Sequence, residues 1–287
     1  MGAGDGATTI MKAPAVDYVR PRSLTEATER LADAKGDARV IAGGQSLLAM
    51  MNLRLASPGL LIDIARLPEL ASSTEDARSV TLGACVTHAA IEDGRAADPS
   101  LGLMPRVAAS LAYRAIRNRG TIGGSLALAD PAAEWPAALM ALDAEVTLCS
   151  PSGRRSVNCA EFTTGIFATQ LAADEIIESV RIPKLSDGAR SGYLKLCRKS
   201  GEFANALAVV VADPGRGYSR VVIGAANGAP LPLDDTARFV AAGGHDLEAL
   251  HRAIAADLDR ASDRYFDEFQ RALHTVAVMR AVRQVTA

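Results

Sequence analysis

The 287-residue chain has few cysteines and none that pair. Cys85, Cys149, Cys159 and Cys197 are scattered, with no Cys-x-x-Cys spacing. Structural zinc and iron–sulfur centres need neighbouring thiolates, so this spacing offers neither. We read the four as reduced thiols of a cytosolic chain. Aromatic residues make up only 4% of the sequence, which removes the stacking platform of single-strand nucleic acid binders. The formal net charge is −2, so no basic footprint for a phosphate backbone is indicated. No uncharged apolar run approaches the roughly 18 residues of a membrane-spanning helix. Residues 1–11 lack the charged start and apolar centre of a signal peptide. We read them as a disordered leader, with Met11 available as a second start.

Familiar catalytic arrangements are missing too. His88, His245, His251 and His274 are dispersed, and no serine sits in a Gly-x-Ser-x-Gly elbow. No Gly-x-Gly-x-x-Gly follows a strand, and no Gly-Lys-Ser of the P-loop type occurs. Asp63, Asp130, Glu134 and Asp143 lie near apolar runs, where a lone acid is most often a cap or a surface group.

What the sequence does have is two glycine pairs, each followed by a hydroxyl. Ala42-Gly43-Gly44-Gln45-Ser46 follows the apolar run Arg39-Val40-Ile41. Arg117-Asn118-Arg119-Gly120-Thr121-Ile122-Gly123-Gly124-Ser125 lies about 80 residues further on. Glycine pairs let backbone approach a ligand closely and line up N–H groups into a nest for an anion. Thr121 and Ser125 add hydroxyl donors. A single pair also reads as a tight turn between core segments. Two of them point to two backbone cradles on one pyrophosphate. With no acid, base or nucleophile set to act on a substrate, the pattern fits a chain whose cofactor does the chemistry.

Ser23-Leu24-Thr25-Glu26 reads as a capping box. Leu24, Ala27, Leu31 and Ala34 then share a helical face, and Gly36 ends it. A strand over 39–42, a short piece over 47–54 and a strand over 60–64 complete a small α/β unit. The pattern predicts a strand over 80–84 and a helix over 87–97. A second helix is opened by Pro105, with Val107, Leu111 and Ala115 in register. Glu134 falls in the first turn of a helix over 131–142. Residues 146–149 and 155–157 flank Pro151-Ser152-Gly153 as a hairpin, and 176–182 is a further strand. Residues 185–189 mark a boundary. Strands over 193–197, 207–211 and 221–225 follow, then helices over 234–241, 246–258 and 262–283. The last carries a stripe of Tyr265, Phe269, Leu273 and Val276.

The motifs Ala42 to Leu47, Asn52-Leu53-Arg54, Ile116 to Ser125, Ala129 to Glu134 and Arg198 to Ala204 stand in a familiar order. On these residues the chain resembles the FAD-binding medium subunit of molybdenum hydroxylases, the xanthine dehydrogenase and aerobic carbon monoxide dehydrogenase family. The similarity runs from about Lys12 to the last helix. The fold implied is α+β. A two-subdomain FAD-binding region of the PCMH type spans 12–187, divided at about 12–65 and 66–187. A C-terminal domain over 188–287 adds a three-stranded antiparallel sheet with a helical bundle.

The resemblance also implies site residues. The FAD pyrophosphate is held by Ala42, Gly43, Gly44, Gln45 and Ser46 and by Thr121, Ile122, Gly123, Gly124 and Ser125. Glu134 reaches the adenosine ribose, Phe203 stacks on the isoalloxazine, Lys195 lies near that ring, and Ile177 lies on the adenine side. For Phe203 a plain core position is the competing reading. Arg117 and Arg119 either shape the loop or touch the ligand. The implied role is electron transfer: FAD accepts electrons from [2Fe–2S] clusters on a small partner subunit and passes them to an external acceptor (NAD, oxygen, a quinone or another). A large molybdopterin subunit hydroxylates the substrate, in a dimer of heterotrimers. The implied location is cytoplasmic, reaching the inner face of the membrane only through partners.

The sequence departs from the family in places. Leu128 stands where many members have His, Trp135 replaces a usual Leu, and Asn205-Ala206-Leu207 is unusual after the flavin-facing segment. Two other readings share the cradle: a self-sufficient flavin oxidase or reductase, and a non-redox scaffold that has lost its flavin.

Overall fold

The computed structural model describes residues 13–261 and 267–286. The leader expected over 1–11 lies outside them. The chain opens with β1 (Asp17–Val19), α1 (Leu24–Asp33), β2 (Ala38–Ile41), α2 (Leu47–Asn52) and β3 (Leu60–Asp63). The three strands form a parallel sheet in the order β1-β3-β2, with Val40 opposite Ile62. Parallel neighbours need crossovers, which the two helices supply. Ser23 caps α1: its Oγ accepts from the Glu26 N–H at 3.1 Å. The reciprocal half of the box differs, since the Glu26 carboxylate accepts from the Arg22 N–H. Leu24, Ala27 and Leu31 are buried in one cluster with Ile62 and Leu70.

Next come α3 (Pro68–Ala71), β4 (Ser73–Glu75), β5 (Ser79–Gly83), α4 (His88–Glu92), α5 (Leu103–Ser110), α6 (Arg114–Arg117), α7 (Ile122–Leu128) and α8 (Glu134–Ala141). They are followed by β6 (Glu145–Ser150), β7 (Gly153–Asn158), α9 (Cys159–Phe162), β8 (Thr163–Gly165), β9 (Ala168–Thr169) and β10 (Ile176–Pro183). An antiparallel sheet runs β4-β5-β10-β6-β7, and β8 and β9 form a small ribbon. The hairpin read around Pro151-Ser152-Gly153 is β6–β7.

Two expected helices are shorter than their patterns. The helix read over 87–97 stops at Glu92, because Asp93-Gly94 turns the chain, with Gly94 at φ +68°. The helix opened by Pro105 does not run through Ala115: it ends at Ser110, and Ala112 takes a positive φ of 37°. The Arg117 guanidinium satisfies the freed carbonyls of Leu111 and Ala112, at 2.9 and 3.0 Å.

The last part holds β11 (Arg190–Leu196), β12 (Ala206–Asp213), β13 (Tyr218–Gly224), β14 (Leu231–Pro232), α10 (Asp234–Ala241), α11 (Leu247–Arg260) and α12 (Glu268–Thr286). The three long strands are those read from the sequence, and the two-residue β14 adds an edge to give β11-β12-β13-β14. β12 is buried on both faces. Leu207, Val209 and Val211 face the core that holds α8, while Ala206, Ala208 and Val210 face α10 to α12. Burial on both faces explains its unbroken apolar run. Every residue of α8 is buried, as expected of a helix apolar all round.

The stripe read on the last helix is corrected. Phe269 and Val276 are exposed, at 70% and 38%, and Tyr265 lies outside the described residues. The buried face is instead His274, Ala277, Val278, Ala281, Val282 and Val285. Small side chains bring this helix onto the sheet. A Cβ placed on Gly192 of β11 would stand 2.0 Å from the Ala281 carbonyl oxygen. Pattern reading weighs large side chains, whereas here the contact is made by small ones.

Gly192→Val should therefore lift α12 from β11. We expect a loss of about 1–3 kcal/mol from overpacking, seen as a fall of roughly 2–4 °C in Tm per kcal/mol. An unchanged Tm would mean that the helix does not lie against this strand.

Candidate functional site

The first glycine segment begins where β2 ends, at the carboxyl edge of the parallel sheet. Ligands of parallel α/β units bind outside that edge. Gly44 has φ +71° and Ser46 is right-handed, at φ −106° and ψ −51°. Alternation of hand turns successive N–H groups to one side. Among the described residues, the N–H groups of Gly43, Gly44, Gln45, Ser46 and Leu47 donate to no protein acceptor. Three carbonyls of the loop are engaged: Gly43 O accepts from Gln45 Nε2 at 3.0 Å, Gly44 O from the Leu48 N–H at 3.2 Å and Ser46 O from the Met50 N–H at 2.9 Å. A run of five consecutive free donors is an anion-binding surface.

The second glycine segment is built differently. Thr121 is the N-cap of α7, and its Oγ1 accepts from the Gly124 N–H at 3.1 Å. Ile122, Gly123 and Ser125 donate to Val86 O, Ala84 O and Thr121 O. Four N–H groups read as a second nest are thus consumed inside the protein, because the segment starts a helix and pairs with the strand exit at Ala84–Val86. Neither Gly123 nor Gly124 takes a positive φ. Gly123 is needed for close approach: a Cβ there would lie 2.5 Å from the Ala84 Cβ. What this segment turns outward is the bare Cα of exposed Gly124 and the half-buried Ser125 hydroxyl, which bonds no protein group among the described residues.

The structure brings the two segments together. A Cβ on Gly43 would stand 2.0 Å from the Arg119 carbonyl oxygen and 2.9 Å from the Gly120 Cα. Arg119 Nε reaches back to Gly43 O at 3.4 Å. Arg117 shapes the loop: besides its two carbonyls it pairs with Glu92 at 2.7 Å and is mostly buried. Arg114 joins Glu92 and Asp93, and the guanidinium groups hold both carboxyls below their usual pKa, Asp93 at about 2. Asp130 is a turn acid, accepting from the Ala132 N–H.

Glu134 and Lys195 find each other. Nζ stands 2.6 Å from Oε1, with side chains 6% and 4% exposed, and Nζ also donates to Ser110 O. Burial pushes the Glu134 carboxyl upward in pKa, and the Lys195 ammonium pulls against it. The pair ties the start of α8 to β11. Ile177 is buried in the core of the five-stranded sheet. Its neighbour Ile176 faces the other way, into the cluster that Ala42 joins. Strand alternation therefore separates Ile177 from the first glycine segment.

Phe203 lies in the β11–β12 loop and is 68% exposed, which removes the core reading. The same loop meets Tyr113, a residue that sequence reading passed over. A Cβ on Gly201 would be 2.8 Å from the Tyr113 ring, and Tyr113 is 60% exposed. Its position just before the Arg117–Ser125 motif was the available signal. Two depressions elsewhere, of about 260 and 890 Å³, include no residue of either glycine segment. An open backbone cradle is a surface rather than an enclosed hollow. Among the described residues no three His, Cys, Asp or Glu stand together as a metal site, and no helix is long and apolar enough to cross a membrane.

Residues 14–185 match the family described as FAD binding domain in molybdopterin dehydrogenase. The chain is 41% identical over 221 residues to the nicotine 6-hydroxylase medium subunit of Paenarthrobacter nicotinovorans, covering 76% of this chain and 77% of that one. It is 33% identical over 278 residues to the carbon monoxide dehydrogenase medium chain of Afipia carboxidovorans, covering 94% and 96%. Among solved structures, a carbon monoxide dehydrogenase from Hydrogenophaga pseudoflava superposes with a TM-score of 0.87 at 31% identity, over 95% of this chain and 98% of that one.

Two outcomes follow from this geometry. Gly43→Val should push the glycine segments apart, with loss of bound flavin and a fall in stability of about 1–3 kcal/mol; full flavin content in the purified variant would contradict it. Lys195→Met should leave a buried carboxylate unpaired and cost about 3–5 kcal/mol by chemical denaturation. Adding Glu134→Gln should restore much of that loss, and strict additivity would show that the two do not interact.

Proposed function

The chain belongs to the family of FAD-binding domains of molybdopterin dehydrogenases, and from that premise we propose how its residues serve the cofactor and the partners. It is an FAD-binding medium subunit of a multi-subunit molybdenum hydroxylase, an oxidoreductase component. FAD, when bound, supplies redox chemistry that no side chain here provides. The run of undonated N–H groups from Gly43 to Leu47 is the observation that carries the site assignment. It suits the diphosphate, and the absence of a Cβ at Gly43 lets the two segments close around it.

We assign residues 12–65 and 66–187 to the two subdomains of the FAD-binding region and 188–287 to the C-terminal domain, on the partition of the three large sheets. Ala42, Gly43, Gly44, Gln45 and Ser46 hold the diphosphate with backbone donors. Thr121, Ile122, Gly123, Gly124 and Ser125 offer bare surface and a hydroxyl. Phe203 is placed on the isoalloxazine face, with Tyr113 beside its loop. Lys195 and Glu134 act near the cofactor as an ion pair that fixes β11 against α8. Ile177 supports the adenine side from within the core.

The electrons come from [2Fe–2S] clusters on a small partner subunit and leave FAD for an external acceptor. A large molybdopterin subunit carries the substrate chemistry, and the assembly is a dimer of heterotrimers in the cytoplasm. The names of the relatives, medium subunit and medium chain, support partners of other sizes. The exposure of Phe203, with exposed Tyr113 against the same loop at Gly201, supports a ring-binding surface there.

The test has two parts. The recombinant chain should take up FAD and show visible flavin absorbance, yet turn over no substrate without its partners; substrate turnover by the isolated chain would overturn the subunit reading. Phe203→Ala should leave the Tm of the apo form unchanged, because the ring is exposed. It should weaken FAD by up to about tenfold and shift the flavin spectrum, and an unaltered spectrum and affinity would remove Phe203 from the site.

A further inference from the structure

His88 packs against Gly120 at the seam where the glycine segments meet. A Cβ on Gly120 would stand 2.8 Å from both Cδ2 and Nε2 of the His88 ring, and the Gly120 Cα is itself what a Cβ on Gly43 would meet. The order through the seam is therefore Gly43, Gly120, His88, with no side chain between them. The backbone clasps the histidine in place. Its N–H donates to Gly120 O at 2.9 Å, and Thr87 bridges to Thr121.

The other side of the ring is fixed by Trp135. The indole Nε1–H donates to His88 Nδ1 at 3.1 Å, between rings 6.1 Å apart. An indole nitrogen can only donate, so Nδ1 must be the acceptor and the ring proton of a neutral imidazole must sit on Nε2. Burial, aided by the Arg117 charge, pushes the His88 pKa down to about 4, so the ring is neutral near pH 7. His88 is 7% exposed. Among the described residues Nε2 bonds no protein group, yet it is not one of the fully enclosed polar atoms, of which none there lacks a partner. The side chain is thus nearly buried and its tautomer fixed, while the Nε2–H keeps a small opening to the outside beside Gly120, which points to a ligand acceptor.

We infer that His88 is a cofactor-binding residue whose Nε2–H donates to the diphosphate of FAD at the Gly43–Gly120 seam, with Trp135 as the positioning residue that holds the proton on Nε2. The inference rests on placing FAD in the glycine cradle. The group adds a directed donor without adding a charge. It thereby complements the N–H run of the first segment from the side where the second segment has bonded its own N–H groups internally.

The test uses the full chain as wild type, His88→Leu, His88→Gln and Trp135→Phe. FAD affinity is read by flavin fluorescence, apo stability by Tm, and the imidazole by nitrogen NMR with and without FAD. Wild type should show the Nε2–H tautomer, and that proton should move when FAD is added. His88→Leu should weaken FAD by about tenfold or more, the loss of a hydrogen bond to a charged acceptor. His88→Gln should recover part of it through its amide donor, and Trp135→Phe should weaken FAD with a mixture of tautomers. A wild-type Nε2–H resonance that ignores FAD, an Nδ1–H tautomer, or equal FAD affinity in His88→Leu would overturn the inference while leaving the FAD assignment standing. Should His88→Leu fail to fold, the wild-type titration decides alone. Wild type that takes up no FAD would overturn the cradle assignment and the inference together.

Discussion

The structure depends on one backbone contact, the approach of Gly43 to Arg119 and Gly120. The two segments come from different sheets, and each is anchored far from the other. One leaves the end of a parallel strand, and the other is pinned to the Ala84–Val86 strand exit by its own N–H groups. They meet with no side chain between them. Among the described residues, that leaves the donors of the first loop, the Ser125 hydroxyl and the His88 Nε2–H as polar groups of the seam without a protein partner. Everything built nearby serves to hold the contact: Arg117 bridges Glu92 to the broken end of α5, Thr121 caps the following helix, and His88 packs against Gly120.

Much of this could be read from residues alone, and the rest has physical reasons for being hidden. The longer strands and the β6–β7 hairpin followed from period and from turn residues. By contrast, α8 starts at Glu134 rather than at the expected Pro131, and the short strands β1, β4, β8, β9 and β14 carry too few residues to show a period. The first glycine loop reads as a nest because it follows a strand, and its Gly44 takes a left-handed φ. The other glycine loop has nearly the same composition but starts a helix. Composition does not reveal that its Ile122 and Gly123 N–H groups are taken by carbonyls 36 and 39 residues earlier. The Glu134–Lys195 pair and the His88–Trp135 bond join residues 61 and 47 positions apart. Neither has a local signature. The stripe on α12 was misread because close packing there depends on Ala277 and Ala281 rather than on the aromatic residues that dominate a hydropathy pattern.

Two of the four acids singled out in the sequence illustrate the same limit. Asp130 and Glu134 are four residues apart, yet one closes a half-buried turn and the other is buried against a lysine. The difference comes from where the C-terminal sheet lands. Burial of a charge is tolerated only with a matched partner, so the pair also specifies how β11 sits on α8.

The complete burial of α8 has a consequence for how the chain can be divided. One side of this helix is covered by the helices of the FAD-binding region and the other by β12 and β13. Residues matching the family model end at 185, which is short of the sheet that closes that second side. Cut there, the amino-terminal piece would present an apolar helix flank and an unmatched Glu134 to water, while the carboxyl-terminal piece would present Leu207, Val209, Val211 and Val222. Neither half has a finished surface of its own. Local opening of the protein is therefore coupled across this layer, and the two parts share a single cooperative folding unit whose hinge is the helix that follows the cofactor cradle.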